Sequence, residues 1–143
     1  MNRVIVDTDV VSFYFKNHPI ADRYELELAN RVLYISFMTM AEVERWSLQA
    51  HWSKPRVERL HTYLRRFTVV DSSPDLCRKW AEVTVAARAA GHRIECADAW
   101  IAATALLYEV PLVTHNRNDY LGVPGLSVIT HGDSGATVSE QGE

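Results

Sequence analysis

The sequence predicts an α/β domain with a central parallel sheet of about five strands and helices on both faces. Short runs rich in Val and Ile alternate along the chain with longer segments of helical periodicity. Strands and helices that alternate in this way are typical of parallel sheets covered on both sides. The length of 143 residues is enough for one compact domain with a substantial core.

The individual elements follow from local patterns. The predicted strands span residues 3–7, 32–36, 67–70, 111–114 and 126–129. The predicted helices run from Asp9 to Lys16, from Pro19 through Leu28, from Thr39 to about His51, from Pro55 through Leu64, from Ser73 to near Gly91, and from about Glu95 to Tyr108. Pro19, Pro55 and Pro74 favour helix starts, because proline is tolerated in the first helical turn. The last helix is apolar on nearly every face from Ala99 to Leu107, so it is expected to be buried.

The ends of the chain differ in composition. We assign residues 1–131 to the predicted domain and residues 132–143, which are small and mostly polar, to a C-terminal tail that is expected to be disordered. Asp7 and Asp9 interrupt the apolar N-terminal stretch, and no run of 18 apolar residues occurs, so neither a signal peptide nor a membrane span is expected. Cys77 and Cys96 are too few for a disulfide framework, which favours a cytoplasmic protein with reduced thiols.

The net charge of −3 does not decide whether the protein binds nucleic acid. A general nucleic-acid binder is usually basic. However, if four of the 18 acids belong to one metal site, the remaining 14 nearly balance the 15 Lys and Arg residues.

The first candidate site residues lie where the first predicted strand ends. Asp7 follows a run of Val and Ile, and two strands end in polar clusters at the edge where sheets of this class bind ligands. An acid at a strand end can also simply mark the entry to a loop. Asp9 is placed either to cap the first helix or to contact a metal. Ser12, one turn later, either reaches the same site or bonds within its own helix.

Four further acids have both a structural and a functional interpretation. Thr39-x-x-Glu42 matches a capping box, although a residue in a first helical turn can also serve a metal. Asp98 and Glu95 lie at the start of the apolar helix, where the helix dipole favours acids. An apolar helix has no structural need for two carboxylates at its end, which favours a functional role for Asp98. Asp119 lies in a polar loop and is a weak signal by itself.

Taken together, the acids predict a site for a hard divalent cation. Mg²⁺ takes oxygen ligands and retains several waters beside a few carboxylates. A bound metal can activate water and offset charge during phosphodiester cleavage. Soft-metal sites are disfavoured, because the cysteines lack CxxC spacing and the histidines form no HxxxH pair. We expect His115 to form a hydrogen bond in its loop rather than to bind metal.

Four motifs resemble the PIN-domain nucleases, and in particular the VapC-type toxins of bacterial toxin–antitoxin pairs. They are Val-Asp7-Thr8-Asp9-Val-Val-Ser12, Thr39-Met-Ala-Glu42, Asp98-Ala-Trp-Ile-Ala-Ala, and Leu-Val-Thr114-His115-Asn116-x-x-Asp119-Tyr120. Each motif is loose alone, but their order and spacing across residues 3–130 are specific.

The resemblance implies that Asp7, Glu42, Asp98 and Asp119 converge to hold Mg²⁺ or Mn²⁺. Asp7, Asp98 and Asp119 would ligate the metal, and Glu42 would ligate it or orient the attacking water. Thr114 and Asn116 would help to organise the site. Asp9, Ser12 and Glu95 stay supporting candidates because of their positions in the sequence. Many members have Asn at the position of Asp9, and Phe is common at that of Tyr120, a change expected to alter packing more than chemistry.

The resemblance also implies an endoribonuclease, a homodimer and a cognate VapB-type antitoxin whose C-terminal segment blocks the acidic site. Basic residues on the predicted third and fourth helices either engage RNA phosphates or form a solvated face: Arg45, Arg56, Arg59, Arg65 and Arg66. Core packing is expected for most of four aromatic residues that could otherwise stack on bases or form a protein contact: Phe13, Tyr14, Trp46 and Trp52.

Three other functions stay open at this level. A PIN-type nuclease could act in RNA maturation or on structured DNA, and a small antitoxin gene directly upstream would favour the toxin instead. A domain of the same fold that no longer cleaves is disfavoured by the intact set of acids. A phosphatase with Asp7 as nucleophile would need a lysine near its last acids, and no Lys follows Arg93.

Overall fold

The computed structural model describes residues 2–132, so the predicted tail lies outside the described residues except for Gly132. Five strands are present: β1 (Arg3–Val6), β2 (Val32–Ser36), β3 (Thr68–Val70), β4 (Leu112–Val113) and β5 (Val128–Ile129). The α-helices are α1 (Thr8–Phe15), α2 (Glu25–Leu28), α3 (Phe37–Gln49), α4 (Lys54–Leu64), α5 (Pro74–Ala89) and α6 (Cys96–Tyr108). Two 3-10 helices, Pro19–Tyr24 and Arg117–Tyr120, complete the described elements.

The five strands form one parallel sheet in the order β3-β2-β1-β4-β5. The chain therefore builds the sheet outward from β1 in one direction and then returns to add β4 and β5 on its other side. In open parallel sheets, such a reversal leaves a crevice beyond the carboxyl ends of the two strands that flank it. Here those strands are β1 and β4, which are followed directly by Asp7 and Thr114.

Helices cover both faces of the sheet, as the sequence predicts. On β1, Val4 and Val6 point to one face and Ile5 points to the other, because side chains alternate along a strand. Val4 and Val6 pack in a buried cluster with residues of α1, α3 and α4, such as Val10, Val43 and Leu60. Ile5 packs in a second cluster with α5 and α6, in which Leu76 and Ile101 are fully buried.

The apolar helix α6 is buried as expected. Five of its residues are fully buried: Ala99, Ile101, Ala102, Ala103 and Thr104. The strands are shorter than predicted at β3, β4 and β5. The segment after Pro19 begins as a 3-10 helix and becomes α-helical only at Glu25.

Two helices, α1 and α3, begin one or two residues earlier than predicted, which changes the residues that cap them. Helix α1 begins at Thr8, so its N-cap is Asp7 and not Asp9. Helix α3 begins at Phe37, and Ser36 is its N-cap, with the hydroxyl accepting from the Met38 backbone N–H at 3.0 Å. In both places the strand passes into the helix through a single capping residue, which leaves no loop between them.

Both cysteines are free and exposed. Within residues 2–132, no helix is both long enough and apolar enough to cross a membrane.

Candidate active site

Asp7 lies at the centre of the crevice between β1 and β4. Its side chain is 5% exposed, and three donors reach its carboxylate. Oδ1 accepts from the Thr8 backbone N–H at 2.7 Å, whereas Oδ2 accepts from the Thr114 hydroxyl at 2.7 Å and from the Tyr120 hydroxyl at 2.9 Å. The end of β1, the end of β4 and the second 3-10 helix are therefore joined through one carboxylate.

Asp98 approaches the same point from the first turn of α6. Its Oδ1 lies 3.4 Å from the Tyr120 hydroxyl, so one phenol oxygen is in reach of both Asp7 and Asp98. Tyr120 is 3% exposed, and burial together with the neighbouring acids raises its pKa well above 10.0. The hydroxyl is thus a protonated donor placed between two carboxylates that are 91 residues apart in the chain.

Asp9 lies in the first turn of α1 and does not cap the helix, contrary to the sequence prediction. Its Oδ1 accepts from the Val10 N–H at 2.7 Å, and its Oδ2 accepts from the His115 N–H at 3.2 Å. The residue therefore links α1 to the loop after β4. Burial, followed by the charge of Asp7, raises the pKa of Asp9 from 3.8 to about 8.

Glu42 does not take part in a capping box, and that prediction is wrong. Ser36 caps α3, so Thr39 and Glu42 both lie inside the helix. The Thr8 hydroxyl donates to Glu42 Oε1 at 2.7 Å and lies 2.9 Å from the Thr39 hydroxyl. Glu42 is thus held against the start of α1, next to Asp7, by a side-chain contact across two helices.

Asp119 and Glu95 lie at the exposed rim of the site. Glu95 is the N-cap residue of α6, but its side chain makes no capping hydrogen bond. Partial desolvation and the charge of Glu95 raise the pKa of Asp119, so the two acids are close enough to repel. Asp119 in turn raises the pKa values of Asp9 and Asp98.

Of the remaining predicted residues, Thr114, Asn116 and His115 form hydrogen bonds in or beside the site, whereas Ser12 forms no hydrogen bond with its acids among the described residues. Thr114 is fully buried, donates to Asp7 and accepts from the Asn116 backbone N–H at 3.1 Å, so both belong to the site framework. Ser12 lies one turn after Thr8, and within residues 2–132 no hydrogen bond joins its hydroxyl to an acid. His115 Nδ1 lies 2.7 Å from the Tyr24 hydroxyl, which confirms a hydrogen-bonding role for this histidine.

The site concentrates carboxyl groups that oppose one another's ionisation. Burial raises the pKa of Asp7 above 3.8 despite its hydrogen bonds from Thr114, Tyr120 and Thr8. Burial, then the charges of Asp7, Asp119 and Glu42, raise the pKa of Asp98 to about 7. Among the ion pairs of residues 2–132, none includes any of these acids. Within the described part of the chain, these carboxylates are therefore concentrated without a cationic side chain paired to them.

The chemistry of this donor set fits a hard divalent cation. Every candidate ligand is an oxygen, and Mg²⁺ is commonly bound through one or two carboxylates with water completing its shell. In the described part of the chain, no group of three or more His, Cys, Asp or Glu side chains is placed so that it could hold a metal ion. Asp7 and Asp98, which share one hydroxyl, are the pair that could hold such an ion with water in the other positions.

Sequence reasoning did not identify two important side chains. Thr8 lies between Asp7 and Asp9 in the chain, and its hydroxyl donates to Glu42. Its position next to Asp7 was the only feature of the sequence that pointed to a role in the site. Tyr120 was expected to affect packing, yet its hydroxyl contacts both Asp7 and Asp98. A buried phenol requires a partner, and the only sequence signal was its place beside Asp119.

Of the predicted basic and aromatic residues, the aromatic ones lie mostly in packing contacts and most of the arginines are exposed. Tyr14, Trp46 and Trp52 are half-buried against the cluster on the α1, α3 and α4 side of the sheet. Arg56 lies over the Trp52 ring at 4.0 Å, and Lys16 lies 5.6 Å from the Trp46 ring centre. Arg45, Arg59, Arg65 and Arg66 are exposed.

The chain matches one protein-family model and is similar in sequence to known proteins. The family model described as "PIN domain" matches residues 4–121, which include each of the acids described above. The chain is 34% identical over 98 residues to Ribonuclease VapC4 of Mycobacterium tuberculosis, covering 67% of this chain and 75% of that protein. It is 26% identical over 124 residues to Ribonuclease VapC1 of Haemophilus influenzae, covering 85% and 92% of the two chains.

Solved structures show the same architecture. VapBC-1 from nontypeable Haemophilus influenzae has a chain that matches with a TM-score of 0.76 at 25% identity, covering 90% of this chain and 97% of that one. VapBC2 from Rickettsia felis, solved with a DNA fragment from its promoter, matches with a TM-score of 0.78 at 22% identity, covering 90% and 98%. At this identity the second likeness concerns the fold alone.

Proposed function

Because the chain belongs to the PIN-domain family, we propose that it is a Mg²⁺-dependent endoribonuclease and the toxin of a type II toxin–antitoxin pair. One observation carries the catalytic part of this proposal. Asp7 and Asp98 converge on a single hydroxyl at the carboxyl edge of the sheet, with Asp9, Glu42 and Asp119 around them. Among the ion pairs of the described residues, none includes these acids. Such a cluster is costly to bury unless a cation joins it.

The relatives support the choice of substrate. Two curated relatives carry the name Ribonuclease VapC, and this chain spans 75% and 92% of their lengths. The names favour RNA over structured DNA as the substrate, and the VapC designation favours a toxin over an enzyme of RNA maturation.

In the proposed site, Asp7 and Asp98 would hold the ion, with Asp119 as a further ligand from the rim. Mn²⁺ could replace Mg²⁺, since both accept oxygen ligands. When bound, the ion would polarise the scissile phosphate and facilitate deprotonation of the attacking water. Thr114 fixes the carboxylate of Asp7, and Asn116 fixes Thr114 through its backbone N–H.

Glu42 is proposed to accept the proton of the attacking water. Its Oε1 is held by the Thr8 hydroxyl, and among the described residues no hydrogen bond engages Oε2. The water oxygen forms a bond to phosphorus, one P–O ester bond breaks, and the proton of the water passes to the Glu42 carboxylate. Positioning of this kind is the main contribution a protein can make to phosphoryl chemistry.

The proposed partners are a VapB-type antitoxin and a second copy of this chain. Support comes from relatives whose solved structures are VapBC complexes. Co-expression with the product of a small gene directly upstream tests the first partner: it should co-purify and suppress RNA cleavage. Light scattering on the purified toxin tests the second, and a mass of one chain would contradict the homodimer.

The central experiment compares wild type with Asp7→Asn. Induction of the wild type should arrest growth, and purified protein should cleave RNA at mappable positions when Mg²⁺ is added. Asp7→Asn should do neither. The proposal fails if both proteins arrest growth equally, or if the purified wild type shows no Mg²⁺-dependent cleavage of RNA.

A further inference from the structure

The Tyr120 hydroxyl occupies one of the acceptor positions of the Asp7 carboxylate, which limits where a metal ion can bind to that carboxylate. A carboxylate has two oxygens and about four acceptor positions. In Asp7, both positions of Oδ2 are used, by the Thr114 and Tyr120 hydroxyls, whereas Oδ1 accepts only the Thr8 N–H. One acceptor position on Oδ1 therefore remains open, and it is the position on Asp7 that can face an ion.

The two distances from Tyr120 show which carboxylate it serves. A phenol has one proton, and 2.9 Å to Asp7 Oδ2 is an ordinary hydrogen-bond length, while 3.4 Å to Asp98 Oδ1 is at the outer limit. Tyr120 thus donates chiefly to Asp7. Its oxygen also contacts Asp98, so it links the two carboxylates.

We infer that Tyr120 is a positioning residue for the metal, which remains bonded to Asp7 Oδ2 when the ion is present and directs Oδ1 toward it. Bidentate ligation by Asp7 would require Oδ2 to give up one of its two hydroxyl donors. If Tyr120 were released, its hydroxyl, at 3% exposure, would keep only the longer 3.4 Å contact with Asp98, so a buried donor would lose its better hydrogen bond, which is costly. The inference rests on the proposed metal-dependent function and specifies how one ligand is oriented.

The test measures metal binding directly, with Mn²⁺ as the probe and electron paramagnetic resonance as the readout of free ion. Tyr120→Phe should weaken Mn²⁺ binding roughly tenfold, the usual cost of losing a group that orients a metal ligand. Tyr63→Phe is the matched control. Its half-buried hydroxyl donates to the Val11 carbonyl at 2.9 Å and touches no acid, so Mn²⁺ affinity should stay within about twofold of wild type.

The outcomes separate this inference from the proposed function. If wild type and Asp7→Asn bind Mn²⁺ equally, the metal site itself is wrong. If Asp7→Asn loses binding but Tyr120→Phe retains wild-type affinity, only the role of Tyr120 is overturned. Melting curves of the two phenylalanine variants should show similar losses, since each removes one buried hydroxyl bond.

A measurement on the unaltered protein covers the case in which Tyr120→Phe does not fold. With tyrosine labelled at ¹³Cζ, a slowly exchanging hydroxyl gives two resonances in an equal mixture of H₂O and D₂O. The Tyr120 pair should persist at saturating Mg²⁺, because its hydrogen bond to Asp7 is retained. A pair that is present without Mg²⁺ and merges when Mg²⁺ is added would overturn the inference.

Discussion

Two buried tyrosines flank the loop after β4, and their surroundings differ in one respect. The Tyr24 hydroxyl lies 2.7 Å from His115 Nδ1 and accepts from the His131 N–H at 3.0 Å, so its partners include both donors and acceptors. The Tyr120 hydroxyl meets only carboxylates. One side of the loop is a balanced hydrogen-bond network, whereas the other has more acceptors than donors.

The difference teaches how one loop can serve both stability and chemistry. A network with matched partners is satisfied as it stands and holds the chain in place. A cluster of carboxylates whose acceptor positions outnumber the donors around them is satisfied only when a cation or protons join it. The Tyr24 side should therefore affect folding alone, and the Tyr120 side should affect metal binding and activity.

The largest effect is expected for Asp7→Asn, which removes the central charge from the acidic side. RNA cleavage should fall roughly 100-fold or more, because metal-assisted stabilisation is worth several kcal/mol. The measurement is the single-turnover rate on a defined RNA at saturating Mg²⁺.

The matched control for that experiment is Asp71→Asn, which removes one charge from an exposed acid outside the site. Its cleavage rate should remain within about twofold of wild type. Equal losses in the two variants would mean that net charge, and not the site, is responsible.

The second prediction concerns pH. The pKa values of Asp98 and Asp9 are raised from 3.8 to about 7 and about 8, so the folded chain holds these protons more tightly than the unfolded chain. The resulting stability is fully present below pH 3.8 and is lost as the pH rises through 7 and 8. The Tm of the metal-free protein should therefore fall between pH 5 and pH 8, by on the order of 5 °C.

Mg²⁺ and Asp98→Asn sharpen this pH experiment. Mg²⁺ should raise Tm more at pH 8 than at pH 5, because it binds the ionised carboxylates. Asp98→Asn should make the pH dependence of the metal-free protein shallower, since one of the titrating groups is gone. A wild-type Tm that is constant or rises from pH 5 to pH 8 would contradict the raised pKa values of Asp9 and Asp98.

The fold and the two central acids could be predicted because they depend on local pattern. Alternating Val/Ile runs and helical segments determine a parallel sheet, and Asp7 ends a strand while Asp98 begins an apolar helix. Each of those features is contained in about ten consecutive residues. Burial of the surrounding segments then follows from hydrophobic periodicity.

The hydrogen bonds that organise the site could not be predicted, because they join distant residues. Tyr120 and Asp7 are 113 positions apart, and Thr8 and Glu42 are 34 apart. Local pattern was also ambiguous at α3, where Thr39 and Glu42 match a capping box but Ser36 lies three residues earlier and takes the capping position. Only the tertiary arrangement shows that Glu42 is released from capping and bonded to Thr8.

The third prediction tests that contact with Thr8→Val. The substitution keeps the shape of the side chain but removes the hydroxyl that donates to Glu42 Oε1. The maximal cleavage rate should fall about tenfold, since Glu42 loses its orientation, while Mn²⁺ affinity changes by less than about twofold. Thr8→Ser retains the hydroxyl and should restore most of the rate. If Thr8→Ser is as slow as Thr8→Val, the contact with Glu42 does not account for the loss.

The smallest effect is expected on the balanced side of the loop, for Tyr24→Phe. The substitution leaves His115 Nδ1 and the His131 N–H without this partner, and one such bond contributes about 1 kcal/mol to stability. The free energy of unfolding, measured with urea, should fall by about that amount, and Mn²⁺ affinity should be unchanged because the Tyr24 hydroxyl contacts no carboxylate. For Tyr120→Phe the opposite is expected: the free energy of Mn²⁺ binding should fall by more than the free energy of unfolding does. If Tyr24→Phe weakened Mn²⁺ binding as much as Tyr120→Phe, the loop would be transmitting strain from one side to the other, and the two networks could not be treated as separate.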